Sequence, residues 1–309
     1  MKVNVTVPAT TANLGPGFDC LGLALGLYNV VVATADNLAA ADAAQPTDLT
    51  ITTSGEGATQ LATDTTNLVY RAADCVFTQV GKRPLRLHLH LENNIPIGSG
   101  LGSSGAAVVA GLLVANTLLD NPLSFADVQR LAIGFEGHPD NVVAALHGGL
   151  ILAVHDEADW HIEPISLPAQ QVIIVLPDFD FPTAAARAAL PDSLPRADAI
   201  FNHSRLPLLL RALETADYAK LALAMQDRMH QPYRLPLVPG LAAAMQAAQA
   251  AGAAGVALSG AGPSLVAFAP AHHEAVAAAA QAAFATAGLD SRAWILPIAQ
   301  QGAVVTTAS

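Results

Sequence analysis

The sequence predicts an α+β protein of two domains, and three observations carry that prediction. At 309 residues the chain is long for a single hydrophobic core. It is 52% hydrophobic and 13% charged, the balance of a well-buried globular protein rather than a disordered one. Segments of period two alternate with segments of helical period, and polar residues and prolines interrupt both patterns around 155–170.

Taken in order, Lys2 to Val7 alternates polar and apolar residues as a strand does, and Leu21 to Thr34 is a longer apolar run ending in Val30-Val31-Val32. Leu49 to Thr53 is a short β-rich segment. Asn67 to Val80 sets Leu68, Ala72, Val76 and Val80 at helical spacing, with Gly81 as C-terminal cap. Leu85, Leu87, Leu89 and Leu91 then alternate with Arg86, His88 and His90, a half-buried strand whose polar face carries both histidines. Helices are expected at Ser104 to Leu119, Ser124 to Phe135 (N-capped by Ser124) and Asn141 to Leu146, before a strand from Gly148 to Val154. Beyond the interruption, Val172 to Leu176, Val256 to Leu258, Leu265 to Phe268 and a segment near Trp294 to Leu296 read as strands. The Ala-rich tracts Leu241 to Ala251 and Glu274 to Ala287 read as helices, the second opening on a solvated His272-His273. That order favours an α+β second domain with helices on one face of its sheet, so the expected domains are 1–165 and 166–309.

The formal charge is −11, which argues against nucleic acid or an anionic membrane surface as partner, since both need clustered Lys and Arg. Any anionic ligand must be held locally. Cys20 and Cys75 are far apart without metal spacing, so neither a disulfide nor a zinc site is expected; they read as two small buried residues of a protein in a reducing cytoplasm. The start MKVNVTVPATT has no apolar h-region of a signal peptide, and Leu241 to Leu258 is too weakly apolar to span a bilayer.

The most informative segment is Pro96-Ile97-Gly98-Ser99-Gly100-Leu101-Gly102-Ser103-Ser104-Gly105-Ala106, which runs directly into an apolar helical stretch. Glycines let backbone N–H groups approach a ligand closely, and the following helix supplies free N–H groups and a positive dipole end, a combination suited to a polyanion. Gly100-x-Gly102-x-x-Gly105 satisfies a dinucleotide fingerprint in letters only, because Glu92 to Gly98 separates it from the preceding strand and Asp120 ends a helix. A Walker A loop also fails, since Ala106-Ala107 stands where Lys-Ser/Thr is required. A helix-capping turn accounts for one glycine and one serine, not for the whole cluster.

The loop resembles the PxxxGLGSSxA phosphate-binding motif of the GHMP small-molecule kinases. Pro8-Ala9-Thr10-Thr11-Ala12-Asn13-Leu14-Gly15-Pro16-Gly17-Phe18-Asp19-Cys20-Leu21-Gly22-Leu23-Ala24-Leu25 and Glu136-Gly137-His138-Pro139-Asp140-Asn141-Val142 resemble two signatures of the homoserine kinase family within it. Ser259-Gly260-Ala261-Gly262-Pro263-Ser264 is similar to a loop of the wider superfamily, and His230-Gln231-Pro232-Tyr233-Arg234 again resembles homoserine kinases. These matches run in family order over nearly the whole chain. The resemblance implies a two-domain GHMP kinase fold, with an N-terminal α+β domain like the second domain of ribosomal protein S5 and a ferredoxin-like C-terminal domain. It implies ATP and Mg²⁺, L-homoserine as acceptor in threonine biosynthesis, and favours a homodimer. ATP is expected between the glycine loop, residues Pro96 to Ala106 as quoted, and the second loop at Gly260 and Gly262.

By the same resemblance Asn13, Asp19, His138, Asp140, Thr183, Arg187 and Arg234 line the homoserine pocket; Thr183 and Arg187 rest on a TxxxR spacing. The residue types suit a zwitterion: Arg187 and Arg234 are bidentate partners for a carboxylate, while Asp19, Asp140 and the Asn13 amide oxygen accept from an ammonium or hydroxyl group. Glu136 is the expected magnesium ligand, with a hydroxyl from Ser103 or Ser104. Asp140, Asn141 and Thr183 are placed at the reacting hydroxyl. Where relatives such as mevalonate kinase carry a basic aspartate, this chain has Asn141, which leaves positioning or Asp140 to do the work. Two readings stay open beside this one: a related kinase for threonine or mevalonate, and a sensor that keeps the fold without turnover.

Overall fold

A computed structural model describes residues 1–40, 47–157 and 159–308. Its first half runs β1 (Lys2–Asn13), β2 (Gly17–Ala40), β3 (Asp48–Gly55), α1 (Leu68–Val80), β4 (Lys82–Asn93), α2 (Ser103–Leu118), α3 (Phe125–Glu136), α4 (Asp140–His147), β5 (Leu150–His155) and β6 (Trp160–Ile165). The second half runs β7 (Gln171–Pro177), α5 (Thr183–Ala188), α6 (Arg196–Glu214), α7 (Tyr218–Ala224), α8 (Gln231–Arg234), α9 (Leu241–Ala250), β8 (Gly255–Leu258), β9 (Leu265–Phe268), α10 (His273–Thr286), β10 (Ser291–Pro297) and β11 (Val304–Ala308).

The strands form two sheets. In the first the order is β11-β1-β2-β4-β3, and β5 pairs with both β2 and β6; every pair is antiparallel except β3 with β4. Strand β4 has the expected alternation, with Leu87, Leu89 and Leu91 buried and His88 exposed. Helix α1 begins where Asn67 Oδ1 accepts from Val69 N and ends at left-handed Gly81. Helix α3 starts in a capping box between Ser124 and Asp127. Helix α2 is apolar on all sides and buried over nearly its whole length, as such a helix must be. It packs against α1, α3, α4 and β1 in the main core.

The second sheet has the antiparallel order β10-β7-β9-β8, the strand order of a ferredoxin-like domain. Its two faces divide the residues of β7. Ile173 and Val175 pack under α9 and α10, while Val172 and Ile174 join the main core together with Leu209, Leu213 and Leu221 of α6 and α7. The expectation of helices on one face is thereby corrected, because α6 and α7 cover the other.

Three further differences concern boundaries. The polar interruption at 155–170 contains β6, a solvated strand whose half-exposed pattern carries too little hydrophobic signal to read. The last strand, β11, crosses back to pair with β1 (Val5 opposite Val305), so the expected second domain 166–309 returns its end to the first sheet. The first strand is longer than the expected Lys2 to Val7 and carries the residues up to Asn13. Cys20 and Cys75 are free, but each is half-buried rather than sealed in the core. Among the described residues no helix is long and apolar enough to cross a membrane.

Candidate active site

From the end of β4 the chain enters α2 through the glycine loop. Gly100 and Gly102 have φ of 77° and 69°, and a Cβ would collide with the Ser259 carbonyl at the first and the Thr10 hydroxyl at the second, so both positions require glycine. Ser99 closes the loop on itself, its hydroxyl donating to Pro96 O (2.7 Å) and accepting from Leu101 N (3.3 Å). The first intrahelical bond runs from Ala106 N to Gly102 O (2.9 Å), which leaves the amides of Ser103, Ser104 and Gly105 without an acceptor in their own helix. With the helix dipole behind them they form an anion seat. This seat borders a cleft of about 280 Å³.

Ile97, Gly98, Ser99, Gly100, Gly102, Ser103, Ser104 and Ala106 line that cleft. Leu101 is instead a fully buried core residue, and Gly105 faces Asn141 and Val142 of α4. Pro96 borders a second cleft beyond the loop. The Ser259–Ser264 loop is also placed differently from expectation. Ser259 Oγ donates to Gly100 O (2.7 Å), and the backbone of Gly100 lies against Ser259 and Gly262, so no nucleotide fits between the two loops there. This loop braces the glycine loop from behind. Gly260 reaches the cleft wall, whereas Gly262 packs on Leu258 and Phe181.

Opposite the seat lies a strongly charged pocket. The hairpin joining β1 and β2 has left-handed backbone at Asn13 (the end of β1), at Leu14 in the turn and at Asp19 (near the start of β2), with φ of 71°, 46° and 55°, strain of the kind that collects at functional sites. Asn13 stabilises it by accepting from Asp19 N (3.0 Å) and donating to Gly260 O (2.8 Å). Its amide therefore shapes the turn first, and one oxygen lone pair and one N–H remain for a ligand. Asp19 is held by a two-pronged Arg187 fork, both contacts at 3.0 Å. That hydrogen bond, followed by the charge of Asp19, raises the Arg187 pKa. The two side chains are 40% and 33% exposed, so the pair is worth about 1 kcal/mol or less, and a ligand offering both charges exchanges it readily.

His138 Nδ1 lies 2.6 Å from Asp140 Oδ1, which also accepts from Asn141 N (2.8 Å) and Asn141 Nδ2 (3.2 Å). Burial opposes a charge on His138, but the hydrogen bond and charge of Asp140 outweigh it and move its pKa upward. Because Nδ2 of Asn141 must face this carboxylate, its Oδ1 faces Thr10, whose buried hydroxyl donates to it at 2.8 Å. Arg234 is 2% exposed and lines the cleft. Burial, and then the charge of Arg187, lower its pKa to about 10, which leaves it cationic at neutral pH. Thr183, at the start of α5, lines the same wall. Cys20 lies near these acids; burial, then Asp140 and Asp19, push its thiol up to about 11, so it is no nucleophile at neutral pH.

Two sets of groups bear on a metal. Ser104 Oγ donates to Glu136 Oε1 (2.5 Å) beside the anion seat, while Ser103 lines the cleft one residue earlier. Asp19, His138 and Asp140 also place ligand atoms within 4.8 Å of one another. Arg187 already occupies both oxygens of Asp19, which suits a zwitterion clamp better than a cation site.

Sequence reasoning missed the apolar end of the cleft, where Val31, Leu61, Leu68 and Leu91 line a slot beyond the seat. These residues look like ordinary core. The polar signal there was Asn29 and Asn93, which hydrogen-bond to each other from inside β2 and β4 (2.5 Å).

The class of protein follows from comparison as well as from this geometry. Residues 67–149 match the family model for the GHMP kinases N terminal domain, and 209–286 that for the GHMP kinases C terminal. The chain is 46% identical over 304 residues to a homoserine kinase of Microchaete diplosiphon, covering 98% of this chain and 96% of that one. It is 45% identical over 311 residues to a homoserine kinase of a Synechococcus species, covering 98% and 97%. The crystal structure of homoserine kinase from Cytophaga hutchinsonii superposes with a TM-score of 0.86 at 28% identity, covering 99% of this chain and 97% of that chain. The chain belongs to the GHMP kinases, within their homoserine kinase family.

Proposed function

We infer that this chain transfers the γ-phosphoryl group of ATP to the side-chain hydroxyl of L-homoserine, forming O-phospho-L-homoserine for threonine biosynthesis. The observation that carries this reading is that the charged side chains of Asp19, Arg187, Arg234, His138 and Asp140 line one cleft with a phosphate seat that has no lysine or arginine of its own. An amino acid with a short hydroxylated side chain spans such a site.

In this reading the ATP phosphates lie on the amides of Gly98 to Ser104 and the start of α2, and the base enters the apolar slot. Arg187 and Arg234 take the homoserine carboxylate, and Asp19 is released from Arg187 to accept from the ammonium. His138, Asp140 and Thr183 border the hydroxyl arm, and Asn141, fixed by Thr10, orients the hydroxyl oxygen in line with phosphorus. Asn141 is not a base. Oδ1 of Asp140 is already occupied, so its Oδ2 competes with a phosphoryl oxygen and water for the leaving proton. Glu136 with Ser104 offers hard oxygen donors at the seat, and this donor set fits Mg²⁺, which keeps several waters and takes its other ligands from phosphates. When bound, Mg²⁺ supplies neutralisation of the phosphate charge. A cytoplasmic location is carried over from the cysteine usage and a homodimer from the family resemblance, and the charge of −11 supports a protein without nucleic-acid or membrane partners.

The test is ADP release from Mg-ATP by the purified protein with L-homoserine, L-threonine, L-serine or mevalonate. Turnover with L-homoserine alone is expected. Turnover only with another alcohol overturns the pocket assignment, and ATP binding without any turnover favours a sensor.

A further inference from the structure

His230 takes no part in the chemistry above, yet it is fully buried between both poles of the charged pocket. Its Nε2 lies 2.9 Å from the Gly15 carbonyl, in the turn that places Asp19. Its Nδ1 lies 3.4 Å from Nη1 of Arg234. Its ring stacks on Phe18 with centroids 5.2 Å apart. A carbonyl only accepts and a guanidinium only donates, so a single form of the ring satisfies both neighbours: neutral, with the proton on Nε2 and a lone pair on Nδ1. Asp227 Oδ2 is 3.6 Å from Nε2, but Asp227 is already occupied by Asn202 Nδ2 and the backbone N–H groups of Met229, His230 and Gln231. It caps the turn rather than claiming the imidazole. Burial and the nearby Arg234 also favour the neutral ring, against the opposing charges of Asp227 and Asp19.

The same ring fixes the roll of the guanidinium. Arg234 Nε donates to Ala186 O (3.1 Å), and Nη1 is shared between Gly260 O (3.3 Å) and His230. Nη2 makes no hydrogen bond to the protein among the described residues and remains for a ligand in the cleft.

We infer that His230 is a positioning residue which, as a neutral acceptor, sets Arg234 against the turn carrying Asp19 and so determines selectivity for a substrate carboxylate. This rests on the homoserine reading above. A purely structural histidine would affect every substrate alike, whereas this one acts on the carboxylate arm.

The experiment compares L-homoserine with aminopropanol, its analogue without the carboxylate, in wild type, His230→Gln and His230→Asn. Glutamine keeps a donor for Gly15 but offers no acceptor at the Nδ1 position, while asparagine keeps an acceptor there. His230→Gln is expected to lower the kcat/KM ratio of homoserine to aminopropanol about tenfold, mainly through the homoserine KM, with the ATP KM changed by less than about twofold. His230→Asn is expected to restore much of the ratio. An unchanged ratio, or equal losses for both acceptors and ATP, overturns the inference. Heteronuclear NMR of ring-labelled histidine in the wild-type protein provides a second arm that needs no variant. It is expected to show His230 neutral with the proton on Nε2, its Nδ1 signal moving on homoserine binding and not on ADP binding. An imidazolium or an Nδ1-protonated ring at neutral pH overturns the inference equally. If wild type fails to phosphorylate homoserine, it is the functional reading that falls, and the ring state still reports on the Arg234 contact.

Discussion

The two halves of the cleft are built to hold charge by opposite means. On the side proposed for the phosphate donor, the glycine loop and the start of α2 offer backbone amides with no lysine or arginine among them, and the loop is held by Ser259, Thr10 and its own Ser99. On the side proposed for the acceptor, side chains drawn from distant segments meet as explicit charges, Arg187 reaching Asp19 and Arg234 packed beside His230. A polyanion that must arrive, lose a phosphoryl group and leave is served by many modest dipoles. A small zwitterion has few atoms to recognise, so it needs strong directional pairs.

Breaking the acceptor side has the largest expected effect. Arg234→Ala removes a buried cation and leaves a void where the substrate carboxylate is proposed to sit, and kcat/KM for homoserine should fall roughly 100-fold to 1,000-fold in initial-rate assays. Gly102→Ala drives a methyl group into Thr10 and strains a left-handed position, so the ATP side should lose about 10-fold to 100-fold, read as a rise in the ATP KM. Thr10→Val keeps the shape but removes the donor to Asn141; kcat should drop about tenfold while Thr10→Ser retains most of it.

Two histidines at the charged pocket respond to pH with opposite signs. The His138 pKa is raised above its ordinary 6.5, so its contribution is fully present below that value and disappears as pH rises through the folded pKa. The His230 pKa is lowered below 6.5; the unfolded chain then binds the extra proton, and stability falls as pH drops below that value. In urea unfolding, His138→Asn should lose more stability at about pH 5 than at about pH 8, and His230→Asn the reverse. The smallest effect is expected at Arg292, whose exposed fork to Glu56 links the two sheets: Arg292→Ala should change stability by about 0.5 kcal/mol or less.

The donor half was the more legible of the two in sequence, because its chemistry is local. Glycines, serines and the helix they open are contiguous, and the strand β4 and helix α1 before them show clean periods and caps. The acceptor half showed its residue types but not its pairings, since Asp19 and Arg187 are 168 residues apart and only the fold joins them. The apolar slot left little trace because Val31, Leu68 and Leu91 fit the apolar patterns of their own strands and helix just as core residues do. Strand β11 went unread for a related reason: Val304 to Ala308 is short and half polar, and only its pairing with β1 defines it. The bracing role of the Ser259–Ser264 loop depends on backbone contacts with Gly100 that no spacing reports.

The most direct test of the division is a two-by-two set of KM values, for ATP and for L-homoserine, in Arg234→Ala and Gly102→Ala. A crossed result is expected, in which Arg234→Ala raises the homoserine KM and leaves the ATP KM within about twofold, while Gly102→Ala does the opposite. Parallel rises of both constants in both variants would contradict it, because the two halves would then act as one rigid site.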